Sequence, residues 1–345
     1  MGVCVAAIVR DAKPYEPTIP FVGPLPRTAY ARADGARMKH SFGVGHLLDR
    51  RQSSRRPWVS DRRNTPSTEE SMQAEGIAFV TGASRGIGSA IALELARRGF
   101  EVWASMREPE HGAGLAARAA LTGAKLRVVH LDVTRPETID LPDGMRVLVN
   151  NAGIEGSQLP VEHAPIEEWR TLFETNLFGL LEVTRRSIPK LRAGGGVVCN
   201  VGSASVLVPM PFFAAYRASK AAVSALGESL RTELAPFGIR VLEILPGAID
   251  TDMLVRSDHA PEAVGRAGYT EMAERVHRVR RNPALAPTPT EQAAVAIADA
   301  ILNDGAPLRV APDPMGAALL AAWRAQDDEA TMRPMLAFFT GREAG

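Results

Sequence analysis

The sequence predicts an α/β fold: a single doubly wound domain around a central parallel sheet. Three observations predict it. A short apolar strand, Ile77-Ala78-Phe79-Val80, enters the glycine-rich turn Thr81-Gly82-Ala83-Ser84-Arg85-Gly86-Ile87-Gly88 and then a helical pattern that runs to Arg98 through Ile91, Leu93 and Leu95. Apolar strands recur at 101–105, 126–131 and 147–149. A further short strand, Leu308-Arg309-Val310, follows the helical pattern of 291–302.

Bulk properties set the frame. The chain has 345 residues, 46% hydrophobic and 23% charged, with formal net charge +1. That is room for one large α/β domain, and nothing in the charge asks for nucleic acid or a membrane surface as partner. No apolar run reaches the roughly 18 residues of a membrane span. The two cysteines, Cys4 and Cys199, are far apart, so neither a disulfide framework nor a metal site is expected. Cys199 lies in an apolar run and reads as a buried thiol. These features fit a cytoplasmic enzyme.

Residues 1–71 differ from the rest. They hold 12 Lys and Arg against 7 Asp and Glu, five prolines between Pro14 and Pro26, and the run Arg50-Arg51-Gln52-Ser53-Ser54-Arg55-Arg56. No period of 2 or 3.6 persists, so this stretch is expected to be disordered. It has no amphipathic helix or apolar core of a targeting signal. It is either a start placed too early, with Met72 as the working initiator, or a dispensable tail. The domain is assigned to 72–345.

The glycine turn sits between strand and helix, which is the context that gives such a motif meaning. Glycines let backbone approach a pyrophosphate at the helix N-terminus. At the end of the second strand, a carboxylate would bind ribose hydroxyls and select NAD. That position reads Met106, followed by Arg107, and Arg85 is a second cation near the same edge. Two guanidiniums there favour a 2′-phosphate and hence NADP(H) over NAD(H). If the alignment is one residue off, Glu108 becomes the ribose ligand instead. The third strand ends in Asp132-Val133 and the fourth in Asn150-Asn151-Ala152-Gly153, both expected at the carboxyl edge facing the cofactor. The link between them carries Pro136, Pro142 and Gly144, and a shortened or missing helix is expected there.

Tyr216-Arg217-Ala218-Ser219-Lys220 carries the chemistry. Tyr and Lys four apart share one face of a helix. An ammonium beside a phenol favours the phenolate and lowers its pKa from about 10, which suits a proton donor and acceptor for a carbonyl/alcohol pair. Ser203 stands thirteen residues upstream.

In this order, TGxxxGxG at 81–88, Asp132-Val133, the NNAG of 150–153, Asn176, Ser203, YxxxK at 216–220 and Pro246-Gly247 with Thr251 resemble the short-chain dehydrogenase/reductase family, with its Rossmann fold. Residues 230–239 are similar to its hydroxysteroid and retinol dehydrogenase members. The resemblance implies these roles. Asn176, Ser203, Tyr216 and Lys220 are catalytic, with Tyr216 the acid/base and Ser203 orienting the carbonyl. Lys220 also binds the nicotinamide ribose, and Asn176 positions Lys220 and a relay water. Read alone, Asn176 is a polar residue that caps or kinks its helix. The cofactor set is Thr81, Gly82, Ser84, Arg85, Gly86, Ile87, Gly88, Arg107, Asp132, Val133, Asn151, Ala152, Gly153, Tyr216, Lys220, Pro246, Gly247, Ile249 and Thr251, with Ile249 and Thr251 on the carboxamide. Family members imply a homodimer or homotetramer. Gly202 departs from the family, where a second serine is common.

Val206, Leu207, Val208, Pro209, Met210, Phe212 and Phe213 read as apolar pocket lining. A polar helix over 261–281 lies in an insertion, about 252–290, expected to act as a lid. Arg278, Arg280 and Arg281 are expected on its solvated face. Thr290 is expected to cap the helix 291–302. The apolar tail 315–339 covers the substrate mouth or a second subunit. The expected function is NADP-dependent interconversion of an apolar secondary alcohol and its ketone. The alternatives are a 3-oxoacyl reductase of fatty-acid type, or an idle dinucleotide-sensing or scaffold protein.

Overall fold

Seven parallel strands form the centre, in the order β3-β2-β1-β4-β5-β6-β7. The computed structural model describes residues 71–256, 259–281 and 286–341. The leader read over 1–71 lies outside them except for Ser71, which pairs with Asn303 in an isolated bridge. The strands are β1 (Ile77–Val80), β2 (Glu101–Met106), β3 (Leu126–His130), β4 (Met145–Asn150), β5 (Gly196–Val201), β6 (Ile239–Ile244) and β7 (Arg309–Val310).

Their sequences explain their burial. Successive strand residues point to opposite faces. Ala78 and Val80, Val147 and Val149, and Leu242 and Ile244 enter one core with helices α1 (Gly86–Arg98), α2 (Ala113–Leu121) and α8 (Thr290–Leu302). Phe79, Leu148, Val198 and Val241 enter the other, against α4 (Leu180–Arg192) and α5 (Ala214–Leu234). Both faces are covered, so the strands are continuous apolar runs rather than alternating ones. Cys199 is a free, buried thiol, and burial pushes its pKa up to about 12.

The chain reverses direction across the sheet between β1 and β4, and that topological switch point opens a crevice at the strands' carboxyl ends. The link from β3 to β4 holds only a 3-10 turn, Pro136–Thr138, as its shortness requires. Helix α3 (Ile166–Phe173) continues into α4 through one π turn, Glu174–Gly179.

Beyond β6 the expectations need correction. The polar helix is shorter than 261–281: turns occupy 262–269 and α7 is Thr270–Arg280, after the short α6 (Asp252–Arg256). Thr290 does not cap α8. Its hydroxyl bonds the Asp250 carbonyl, tying α8 back to the loop after β6, and Pro289 occupies the cap position. The tail is two helices, α9 (Pro314–Ala325) and α10 (Asp328–Thr340), each capped by an aspartate, Asp313 and Asp327. With the 204–213 segment and α7 they enclose a third apolar core, including Leu207, Phe212, Val276, Leu319 and Phe339. No described helix is long and apolar enough to cross a membrane.

Candidate active site

The glycine turn is fastened to the end of β4 by backbone and short side chains. Thr81 Oγ1 accepts the N–H groups of Asn151 and Ala152, both at 3.0 Å. Asn151 Nδ2 returns bonds to the carbonyls of Thr81 at 3.0 Å and Gly82 at 2.9 Å. Gly82 has φ +65°, and a Cβ there would stand 2.7 Å from the Ala152 Cα. At Gly88 a Cβ would stand 2.2 Å from Asn151 Nδ2 and 2.5 Å from the Gly82 carbonyl oxygen. Only glycine fits either position. Gly86 and Ile87 open α1, whose first-turn N–H groups have no intrahelical acceptor, and Ile87 lines the cleft.

One strand over, Met106 is buried and Arg107 and Glu108 are exposed. Glu108 turns to His111, 2.9 Å from its Nδ1, which draws the alternative ribose ligand into its own 3-10 turn. Asp132 is half-buried and accepts bonds from the Thr134 N–H and hydroxyl. Burial raises its pKa, but those bonds and the charges of Arg107 and Arg135 outweigh it and hold the carboxyl low. Arg107 and Asp132 are therefore neighbours at the β2 and β3 ends. Val133 packs against Gly179, where a Cβ would meet it at 2.8 Å. Arg85 is exposed and lies 3.8 Å from Asp252, so its charge is shared with the start of α6.

The third group lies on the β4–β6 side. A cleft of about 490 Å³ is lined by Ile87, Asn151, Gly153, Ser203, Tyr216, Lys220, Pro246, Gly247, Ile249 and Thr251. Ten of the positions read from sequence thus share one wall system. Thr81, Gly82, Ser84, Arg85, Gly86, Gly88, Arg107, Asp132, Val133, Ala152 and Asn176 lie outside that wall. Asn176 acts from behind it. Buried in the π turn, it accepts the Ile154 N–H at 2.8 Å and donates to the Ile154 carbonyl and to Ser219 Oγ, each at 3.0 Å. It pins the loop after Gly153 to α5. The π turn that holds Asn176 and the bracing of α5 are one feature.

Tyr216 and Lys220 differ from expectation electrostatically. Ser203 hydrogen-bonds the Tyr216 phenol, and burial pushes that phenol up to about 12, with Glu155 adding to the rise. The expected lowering of Tyr216 is absent. Lys220 Nζ instead donates to the Val201 carbonyl at 2.8 Å, and burial brings its pKa down to about 8.

The walls also need correction. Of the seven apolar residues between Ser203 and Tyr216, only Met210 and Phe213 line the cleft. Leu207, Val208 and Phe212 are buried in the third core. Phe212 holds φ +68°, the only non-glycine residue with positive φ among those described. Its ring meets Tyr269 edge-on at 6.1 Å, packing that fixes this strained turn and presents Phe213 to the cleft. Arg278 and Arg281 are exposed as expected, Arg281 at the cleft's edge, but Arg280 is half-buried, lines the cleft and holds its guanidinium 5.4 Å from the Phe213 ring centroid. Met253 and Leu254 from the 252–290 segment and Met315 and Leu319 from the 315–339 tail line the cleft, as does Glu155, which sequence reading did not single out. Asp313 was missed too. It caps α9 through the Gly316 N–H at 2.9 Å and accepts the Gly247 N–H at 2.7 Å. The Asp-Pro pair before an apolar helical pattern was the available signal.

Comparison with known proteins agrees with this architecture. The short chain dehydrogenase family matches over residues 76–262. The chain is 38% identical over 195 residues to 3beta-hydroxysteroid dehydrogenase 1 of Eggerthella lenta, covering 53% of this chain and 74% of that protein. It is 35% identical over 190 residues to estradiol 17-beta-dehydrogenase 2 of Rattus norvegicus, covering 52% of this chain and 50% of that one. A short chain dehydrogenase from Burkholderia cenocepacia, solved in complex with NADP, superposes with TM-score 0.61 at 29% identity, covering 77% of this chain and 99% of that chain. The chain belongs to the short-chain dehydrogenase/reductase family and is an NAD(P)-dependent enzyme of it.

Proposed function

We propose that this enzyme interconverts an apolar secondary alcohol and its ketone with NADP(H). One observation carries the reading: Ser203 and Tyr216 share a cleft whose remaining walls include Met210, Phe213, Met253, Leu254, Met315 and Leu319. An apolar body would seat against those side chains with its one polar carbon at the hydroxyl pair. The steroid dehydrogenase names among the relatives agree with such a body.

The residues fit a dinucleotide. The open N–H groups at the start of α1, with glycine at 82 and 88 where no Cβ fits, suit a pyrophosphate. Arg107 at the β2 end, and a buried Met106 where a ribose carboxylate would stand, favour the 2′-phosphate. When bound, the nicotinamide supplies the hydride. The chain handles position and proton. Ser203 holds the substrate oxygen. Tyr216, kept protonated by burial, gives its proton to that oxygen in reduction; in oxidation it must first release that proton and then, as phenolate, takes the alcohol's. Lys220 supplies positive charge beneath the phenol, and Asn176 holds the loop and helix that carry the pair.

A panel of hydroxysteroids and cyclic ketones tested with NADPH and NADH checks this. Turnover of an apolar ketone that disappears in Tyr216→Phe, with cofactor binding kept, is the expected result. Cofactor binding without turnover on any apolar ketone or alcohol would sink the substrate class.

A further inference from the structure

Behind the cleft floor lies a carboxylate that is outside the family motif. Glu243, on β6, is 1% exposed. It accepts a hydrogen bond from Ser224 and one from Arg309 Nε at 3.0 Å. Arg309 is itself held by Glu228 and by the Trp323 ring, 5.2 Å away. Ser224 stands one helical turn beyond Lys220 on the same face of α5. Lys220 reaches the Val201 carbonyl, and the next residue, Gly202, abuts Glu243: a Cβ there would stand 3.1 Å from Glu243 Oε1 and 3.2 Å from the Ile244 carbonyl oxygen. Ser224, bonded to Glu243, and the Val201-Gly202 backbone, bonded to Lys220 and abutting Glu243, connect the two groups. Burying a carboxylate is unfavourable unless cations face it.

We propose that Glu243 is a positioning residue of the reaction: its buried carboxylate is the counter-charge of Lys220, holding that ammonium on the Val201 carbonyl under Tyr216, and residue 202 is glycine because this carboxylate occupies the space its side chain would need. The inference rests on the role given to Lys220 above. The electrostatics show the coupling on the Lys220 side, while the bonded cation of Glu243 is Arg309. Burial works against the Lys220 charge and Glu243 works for it. Burial likewise raises Glu243, opposed by Ser224 and Arg309, while Glu228 adds a like charge. On the cleft side, Tyr216 and Glu155 are the other titratable groups facing this pair.

The test is the pH profile of ketone reduction at saturating NADPH. Lys220 titrates near 8, so the wild-type rate falls as pH rises through that value. Without Glu243 the ammonium is lost at lower pH, and the falling limb of Glu243→Gln moves acidward by about one unit, a rate loss of about fivefold at pH 8 that recovers near pH 6. Glu243→Asp keeps the charge and restores the limb. Ser224→Ala, which leaves the ion pair with Arg309 in place, moves the limb the same way by less, so the proposal stays testable if Glu243→Gln folds poorly. Lys220→Met separates the two readings: persistence of the limb in that variant means that the limb is not Lys220's and the role of Lys220 is wrong. A limb that vanishes in Lys220→Met but stays at the wild-type pH in both Glu243→Gln and Ser224→Ala overturns the proposal for Glu243.

Discussion

At the glycine turn, Thr81 Oγ1 takes two backbone N–H groups and Asn151 spans two backbone carbonyls, all within 3.0 Å. In the third apolar core, behind Met210 and Phe213, Leu319, Phe212 and Val276 pack together from three separate segments. The first region is held by short, directional bonds, with glycines where no Cβ fits. The second is held by packing that any well-shaped apolar set can supply. The difference teaches where variation is tolerated. The glycine turn accepts no larger residue at Gly82 or Gly88, while the apolar core can be reshaped by exchanging one apolar side chain for another.

The sharpest way to test that division is at the point where both regions meet. Tyr216→Phe keeps the ring packing and removes the proton. It is expected to lower kcat by about 10²- to 10⁴-fold with NADPH affinity unchanged, measured by steady-state kinetics and fluorescence titration. The same variant serves as the blank for a phenolate titration of the free protein. Burial takes Tyr216 from 10.0 to about 12, so no phenolate from this residue is expected below about pH 10. Between those two values the unfolded chain releases the proton and the folded one keeps it, so this group's contribution to stability falls as pH rises. A phenolate appearing near neutrality would mean that a neighbouring positive charge outweighs burial at Tyr216.

A matched pair separates the regions directly. Leu319→Ala removes a side chain that is 2% exposed and is expected to cost about 2–5 kcal/mol in denaturant unfolding and to raise KM, with NADPH affinity kept. Gly88→Ala adds one methyl against Asn151 and the Gly82 carbonyl. It is expected to cost about 1–3 kcal/mol and to abolish NADPH binding. Equal effects of the two variants on cofactor affinity would erase the comparison. The smallest effect is expected at the rim. Arg107→Ala should weaken NADPH by roughly tenfold and leave NADH unchanged, since a charge-assisted bond to phosphate is lost and nothing in the core moves. If NADH weakens equally, Arg107 serves the ribose or adenine rather than the 2′-phosphate.

The motifs legible along the chain are those whose meaning is local. Thr81 to Gly88, Asn150 to Gly153 and Tyr216 to Lys220 each lie within one turn or one helix, where spacing along the chain fixes spacing in space. The substrate wall was legible only as apolarity. Leu207, Val208 and Phe212 share the composition of Met210 and Phe213 but face the third core instead. The irregular backbone around Phe212, with its positive φ, breaks the periodicity that would have sorted them. Arg280 was read as solvated because a polar helix shows no partner in sequence, yet the Phe213 ring lies beneath it.

By itself, the sequence determined the parallel α/β fold, because strands buried on both faces must be continuous apolar runs. It also determined the glycine turn, because a positive φ or a close backbone approach admits no other residue. Only the tertiary structure decided what faces Tyr216 and Lys220. Burial sets their pKa values, and burial is a property of every segment packed around them. Asp313 reaching Gly247 and Glu243 standing against Gly202 are contacts between segments distant in the chain. No local spacing encodes such contacts, since they exist only once the sheet has brought its strand ends together.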